Sequence, residues 1–259
     1  MISHKYKCIF IHIPKCAGSS IEKAFDCLPP DFLQPPNYDN LSGWCPKNKL
    51  YLQHATPQQL IDLNYISKEH WDSYYKFVVY RNSYARALSD YQYILKMAMV
   101  EGSFKNYITK KGAFEKVLQI LDPHYCGDHL TSQKDYFFLD GKEVQYNAVI
   151  NFDRLNEGLK KVAAELYLGE DFFSEKINAS KKIFNHYSQF YNSRRKKMLY
   201  KLYKEDIVFF DFNYIEKKNM NDYFLSLFNS FFLVFLKSNG VKTIFSLRFL
   251  KTVRRYVNR

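Results

Sequence analysis

Two short stretches carry cations and small polar residues at spacings suited to gripping phosphate groups. In the first, Ile13-Pro14-Lys15-Cys16-Ala17-Gly18-Ser19-Ser20, one Lys and a run of small residues stand between an apolar run and a helix start. Unpaired backbone N–H groups at such a junction point outward and hold an anion, and a Lys beside them neutralises charge developing on a leaving oxygen. The G-x-x-x-x-G-K-[ST] spacing of the Walker A loop is absent. Ser19 with Glu22 three residues on fits a capping box, which predicts a well-defined turn even without a ligand. In the second stretch, Arg81-Asn82-Ser83-Tyr84-Ala85-Arg86-Ala87-Leu88-Ser89-Asp90-Tyr91, Arg81 ends an apolar run and Ser89 lies on the helix that follows. Many Mg-dependent phosphoryl-transfer enzymes place a metal-binding Asp at that strand end. A guanidinium there instead predicts anion binding and chemistry without a metal.

These groups need a rigid frame. The apolar run 8–13, the loop and the helical spacing of Ile21, Ala24 and Phe25 predict strand, loop and helix over 8–28. Pro29, Pro30, Pro35 and Pro36 rule out regular helix, and 31–49 reads as an irregular surface excursion able to shape a substrate cleft. Residues 50–53 predict a second strand, with His54 in the loop before a helix capped by Thr56 and opened by Pro57. Lys76-Phe77-Val78-Val79-Tyr80 predicts a third, buried strand, followed by a helix over 84–99. Helices are also expected over 153–168 and 193–203, and a late strand over 207–210. Strands alternating with helices predict an α/β fold of three layers, P-loop-like, whose central sheet is mostly parallel.

The composition limits the possible partners. The chain has 259 residues, 22 Tyr and 23 Phe, enough to fill one substantial core. Its 38 Lys and Arg against 26 Asp and Glu give a formal charge of +12, which favours an anionic partner without choosing among nucleotide, acidic glycan, nucleic acid and lipid. The five cysteines, Cys8, Cys16, Cys27, Cys45 and Cys126, form no C-x-x-C pair, and no signal-peptide core or spanning stretch is visible. A reducing, cytoplasmic setting is expected.

The two cationic segments together resemble the sulfotransferases that use 3′-phosphoadenosine 5′-phosphosulfate (PAPS), in particular the branch with glycosaminoglycan 2-O-sulfotransferases, chondroitin-type sulfotransferases and bacterial relatives. The resemblance extends through Asp128-His129-Leu130-Thr131-Ser132-Gln133, through Phe152-Asp153-Arg154-Leu155 and through 200–206, covering about 7–214. Ser83 stands where the family usually has Pro, and Asp153 where it has Glu. The resemblance implies that Lys15, Cys16, Ala17, Gly18, Ser19 and Ser20 grip the 5′-phosphosulfate, and that Arg81 and Ser89 grip the 3′-phosphate. It implies a carbohydrate acceptor, polymeric or lipid-linked, in-line transfer without a metal, and PAP as product. Lys15 then stabilises the leaving phosphate, and His54 is the general base, its near-neutral intrinsic pKa suiting the role. His12 is the rival base, although its place in a buried strand favours a satisfied structural imidazole. His129 and Gln133 either line the acceptor site or serve structure alone.

A catalytic domain over 1–214 and a helical, apolar and basic extension over 215–259 are expected. Residues 223–236 are strongly apolar but too short to span a bilayer, which takes about 20 residues. With the seven Lys or Arg and no acid of 237–259, they either lie on an anionic membrane surface or pack on the domain. Two other readings compete: a nucleotide-dependent kinase, lacking its Walker A spacing here, and a noncatalytic anion-binding or nucleic-acid-binding protein. The second leaves the paired phosphate motifs unexplained, so no nucleic-acid partner is expected.

Overall fold

The computed structural model describes residues 1–28, 35–175 and 183–239. Strands β1 (Ile2–Ser3) and β2 (Cys8–Ile11) pair antiparallel, and helix α1 (Gly18–Ala24) follows the loop after β2. A separate hairpin, β3 (Trp44–Cys45) with β4 (Leu50–Tyr51), precedes α2 (Pro57–Asp62) and α3 (Lys68–Ser73). Then come β5 (Tyr75–Tyr80), the long α4 (Ser83–Met97), α5 (Phe104–Ile108) and α6 (Phe114–Gln119). A small hairpin, β6 (Phe138–Leu139) with β7 (Lys142–Glu143), leads to β8 (Ala148–Asn151) and α7 (Leu155–Glu165). Helices α8 (Ser193–Leu202), α9 (Lys204–Phe209), α10 (Met220–Leu225) and α11 (Ser230–Asn239) complete the described chain.

The central sheet has the order β1-β2-β5-β8, with β2, β5 and β8 parallel and β1 an antiparallel edge. All of β2 and the middle of β5 are buried, as strands covered on both faces must be, and Phe10 sits opposite Phe77 in register. The α/β reading of a mixed sheet flanked by helices therefore holds. A second, aromatic-rich core lies away from the sheet, among helices and the loops between them, and joins Tyr91, Tyr107, Phe114, Phe190, Tyr191 and Tyr203.

Four expectations are corrected. Residues 50–53 do not add a strand to the main sheet: β4 is two residues long and pairs only with β3, and the chain then tightens into a 3-10 turn at Leu52–His54. Residues 207–210 belong to α9 and its end, not to a late strand, because Ile207 and Phe210 bond back one turn, to Tyr203 and Asp206. The excursion before β4 is not all surface, since Leu41, Trp44 and Cys45 are buried; its residues 31–34 lie outside the described chain. The Ser19–Glu22 capping box does not form. Helix α1 begins at Gly18 after Ala17 in the left-handed region, and Glu22, one turn in, faces His12. The Thr56 cap with Pro57 at the first helical position is present as expected.

The apolar stretch 223–236 is split between α10 and α11, and Leu233 and Val234 are buried in the helical core. No helix among the described residues is long and apolar enough to cross a membrane.

Between the two cores runs 128–134, in which the ends of two short 3-10 turns flank irregular chain, held by two buried charges. Asp206 accepts from the backbone N–H of Gln133 and of Lys134, both at 3.0 Å, and from the Ser132 hydroxyl. Arg86 donates to the carbonyls of His129 (3.2 Å) and Thr131 (2.9 Å), and lies 3.9 Å from Asp206. Removing one member of such a set strands the other in a dry interior. Asp206→Ala is expected to lower stability by about 3–5 kcal/mol in urea unfolding. Lys68→Ala, which breaks an exposed pair with Asp72, should stay within about 0.5 kcal/mol.

Candidate active site

Side chains that converge on a ligand in an α/β sheet come from the loops at the carboxyl ends of its strands. Here those loops are 12–17 after β2 and 81–82 after β5, with Phe152 just beyond β8. Lys15 and Ala17 both adopt left-handed backbone conformations, at φ 68° and 69°. For non-glycine residues this costs on the order of 1–2 kcal/mol each, strain that tends to collect at functional sites. Gly18 is required by packing: a Cβ there would lie 1.8 Å from His12 Nε2, so the imidazole forms the floor of the loop.

Lys15 places its ammonium 3.7 Å from the centre of the Tyr93 ring. Arg81 donates from Nη1 to the Lys15 carbonyl at 3.1 Å and lies 4.1 Å over the Phe152 ring. Neither cation forms an ion pair with a carboxylate among the described residues. Burial pulls both below their ordinary pKa values; for Lys15 the Asp90 carboxylate partly opposes it. Two half-buried cations without a counter-charge are costly unless an anion supplies one.

Gln133 is completely buried and acts as an added strand residue beside the end of β5. Its Oε1 accepts from the Arg81 N–H at 2.9 Å and its Nε2 donates to the Arg81 carbonyl at 2.8 Å. With both ends of the amide engaged on Arg81, the side chain positions that residue and does not reach an acceptor. Cys16 is also buried, its thiol pushed up to about 11 by burial, so it packs the loop as an inert thiol. Ser19 and Ser20 sit half-buried on the first turn of α1, and Ser89 half-buried on α4.

Three histidines lie in a row, each with its own carboxylate. His12 Nδ1 is 2.8 Å from Glu22, His54 Nδ1 is 2.6 Å from Asp128, and His129 Nδ1 is 2.5 Å from Asp90. The ring centres of His12 and His54 are 4.7 Å apart, and those of His54 and His129 5.2 Å. His12 lies just past the end of β2, not within the strand, with Nδ1 held by Glu22 and its ring packed against Gly18. Burial pushes His54 down to about 4, against the pull of Asp128, so it is neutral at pH 7. Burial would also lower His129, but the Asp90 carboxylate outweighs it and leaves His129 above its ordinary value. Adjacent imidazoles are thus biased toward opposite protonation states, the pattern expected where a base and a charge stabiliser share a site. Asp128 fixes His54 through Nδ1, which leaves Nε2 to take a proton.

The structure thus links Lys15, Arg81, Gln133, His129 and His54 through direct contacts, with Tyr93 stacked on His129 and beneath Lys15. Asp90, Tyr93 and Asp128 were not anticipated as partners. Asp90 and Tyr93 are three apart on one helix and so share a face, and Asp128 adjoins His129, but neither spacing shows which group each would meet. The ligand atoms of His54, Asp128 and His129 lie within 4.8 Å of one another, a grouping able to hold a metal ion, where none is expected. Two of these groups already share a hydrogen bond, and the third is bonded to Asp90. A cavity of about 420 Å³ lined by Tyr75, Asn147, Lys161 and Glu165 lies at the amino ends of β5 and β8, far from these groups along the strands.

No curated protein and no solved structure gives a significant match to this chain. A family model described as Sulfotransferase family matches residues 1–213, which include every group in this site. The chain, an enzyme by that match, belongs to the sulfotransferase family.

Proposed function

We propose that this sulfotransferase takes its sulfuryl group from PAPS and delivers it to a hydroxyl of a carbohydrate, without a metal. The observation that carries the reading is the pair of half-buried cations, Lys15 and Arg81, that lack a carboxylate among the described residues and connect through Tyr93 and His129 to a neutral, oriented His54. PAPS, when bound, supplies the activated sulfuryl group and a phosphate leaving group. Arg81 takes the 3′-phosphate with Ser89, while Lys15 and the loop through Ser20 take the phosphosulfate end. His54 Nε2 removes the proton from the acceptor hydroxyl as its oxygen bonds to sulfur. The bond from sulfur to the phosphate oxygen breaks, and Lys15 balances the charge left on that oxygen.

A carbohydrate is favoured by the aromatic group beside the base. The Tyr51 ring centre is 6.1 Å from that of His54, Trp44 is 5.3 Å from Tyr51, and Tyr125 is 6.3 Å from Trp44. Tyr51 and Tyr125 are half-buried, so flat apolar faces are available to the C–H face of a sugar ring. The five cysteines are all free and four are buried, in keeping with a reducing, cytoplasmic setting.

Calorimetric titration with PAP, run beside ATP and ADP, tests the donor. PAP should bind in preference to both, and Arg81→Ala should weaken it by about 10- to 100-fold, the value of a charge-assisted contact. A folded protein indifferent to PAP would overturn the reading. His54→Ala should keep its PAP affinity and lose about 10²- to 10⁴-fold in kcat; wild-type turnover in that variant would remove His54 as the base.

A base must be unprotonated to act, and burial holds His54 neutral down to about pH 4. The acid limb of kcat/KM should therefore fall well below the ordinary imidazole value of 6.5. A limb at or above 6.5 would show that a different group titrates. Chelators should leave turnover unchanged.

A further inference from the structure

Helix α10 has its polarity reversed. Met220, Tyr223 and Phe224 recur at i, i+3 and i+4, the spacing of one helical face, and Leu227, in the turn that follows, continues the stripe at i+7. That face usually points inward, yet these side chains are 82, 47, 66 and 74% exposed. The opposite side is the anchored one: Asp222 and Ser226 are buried.

The orientation is held by directed bonds. Asn219 and Asp222 form a reciprocal capping box at the start of α10, and Gln189 donates to Asp222 at 2.8 Å. At the other end, Asn192 and the buried Arg195 donate to the Ser226 carbonyl at 2.9 and 3.1 Å, and Arg195 also reaches the Phe228 carbonyl. Turning the apolar stripe inward would break both sets.

We propose that this stripe is a membrane-docking face that inserts its apolar side chains into the interface of an anionic lipid bilayer. Charge decides between the occupants. Residues 215–259 hold nine Lys or Arg against Glu216 and Asp222, and the 20 residues from 240 on contribute six of those cations and no acid. A second copy of the chain would bring the same positive charge against it, whereas anionic headgroups are attracted to it. Apolar insertion and basic attraction are the two signals that together give stable peripheral binding. The docking does not depend on which acceptor the active site takes.

The test is sedimentation of the full chain with vesicles of phosphatidylcholine alone and with about 30 mol% phosphatidylserine, a composition that gives the surface a negative potential. The chain should pellet with the anionic vesicles only, and less so as salt rises. Phe224→Ser with Leu227→Ser should reduce partitioning about tenfold or more, because both insertion anchors are lost. Both positions are exposed, so the thermal midpoint and PAP titration of the double variant should match the parent, which separates lost docking from misfolding. Failure to pellet with anionic vesicles would overturn the proposal, as would equal pelleting of parent and double variant. Concentration-dependent dimerisation abolished by the same two substitutions, without vesicle binding, would assign the face to a second copy.

Discussion

The candidate site depends on how the irregular segment 128–134 is shaped. It has no strand or long helix to fix it, yet it delivers Asp128 to His54, His129 to Asp90 and Gln133 to the end of β5. Two buried charges from distant parts of the chain impose its course, Arg86 by taking its carbonyls and Asp206 by taking its N–H groups. Polar backbone buried outside regular structure must find partners, and charged partners are the strongest available. The pair at 3.9 Å matters less as an attraction than as two templates that neutralise each other while each organises backbone.

That arrangement has an electrostatic consequence. Because Asp206 and Asp90 are already committed to Arg86 and His129, neither neutralises Lys15 or Arg81 directly. Tyr93 and Phe152 hold the two cations by their ring faces instead. An aromatic face orients a cation and excludes water but supplies no full negative charge. The site is therefore ordered before an anion arrives, and its positive potential is retained for that anion, the preorganisation that makes charge stabilisation effective.

Local chemistry was legible where one segment sets it. The parallel strands at 8–11 and 75–80, the Thr56-Pro57 helix start and the long helix after Arg81 all follow from runs, caps and periodicity. The reading failed where distant partners decide. Glu22 has the spacing of a capping residue, but His12 offers a buried imidazole that binds it more strongly than an exposed N-cap would. Ile207 to Phe210 are β-prone side chains, but α9 bonds them into the helix that carries Asp206 to the 132–134 turn. Gln133 was visible as part of a motif. Its function as a backbone surrogate for Arg81 could emerge only once β5 and the segment lay side by side.

The same logic extends to the end of the described chain. Arg195 is buried, lies 4.9 Å over the Phe190 ring, and spends its guanidinium on the carbonyls of Phe190, Ser226 and Phe228. A charge buried to collect carbonyls is an expensive device for holding a surface helix, because an apolar side chain would cost less to bury, and Arg, more weakly hydrated than Lys, is the cation suited to it. It is reasonable only if the orientation of the helix matters. Arg86 and Arg195 thus do parallel work, one fixing the turn that brings the Asp128 carboxylate to the base, the other fixing the face that α10 presents to solvent.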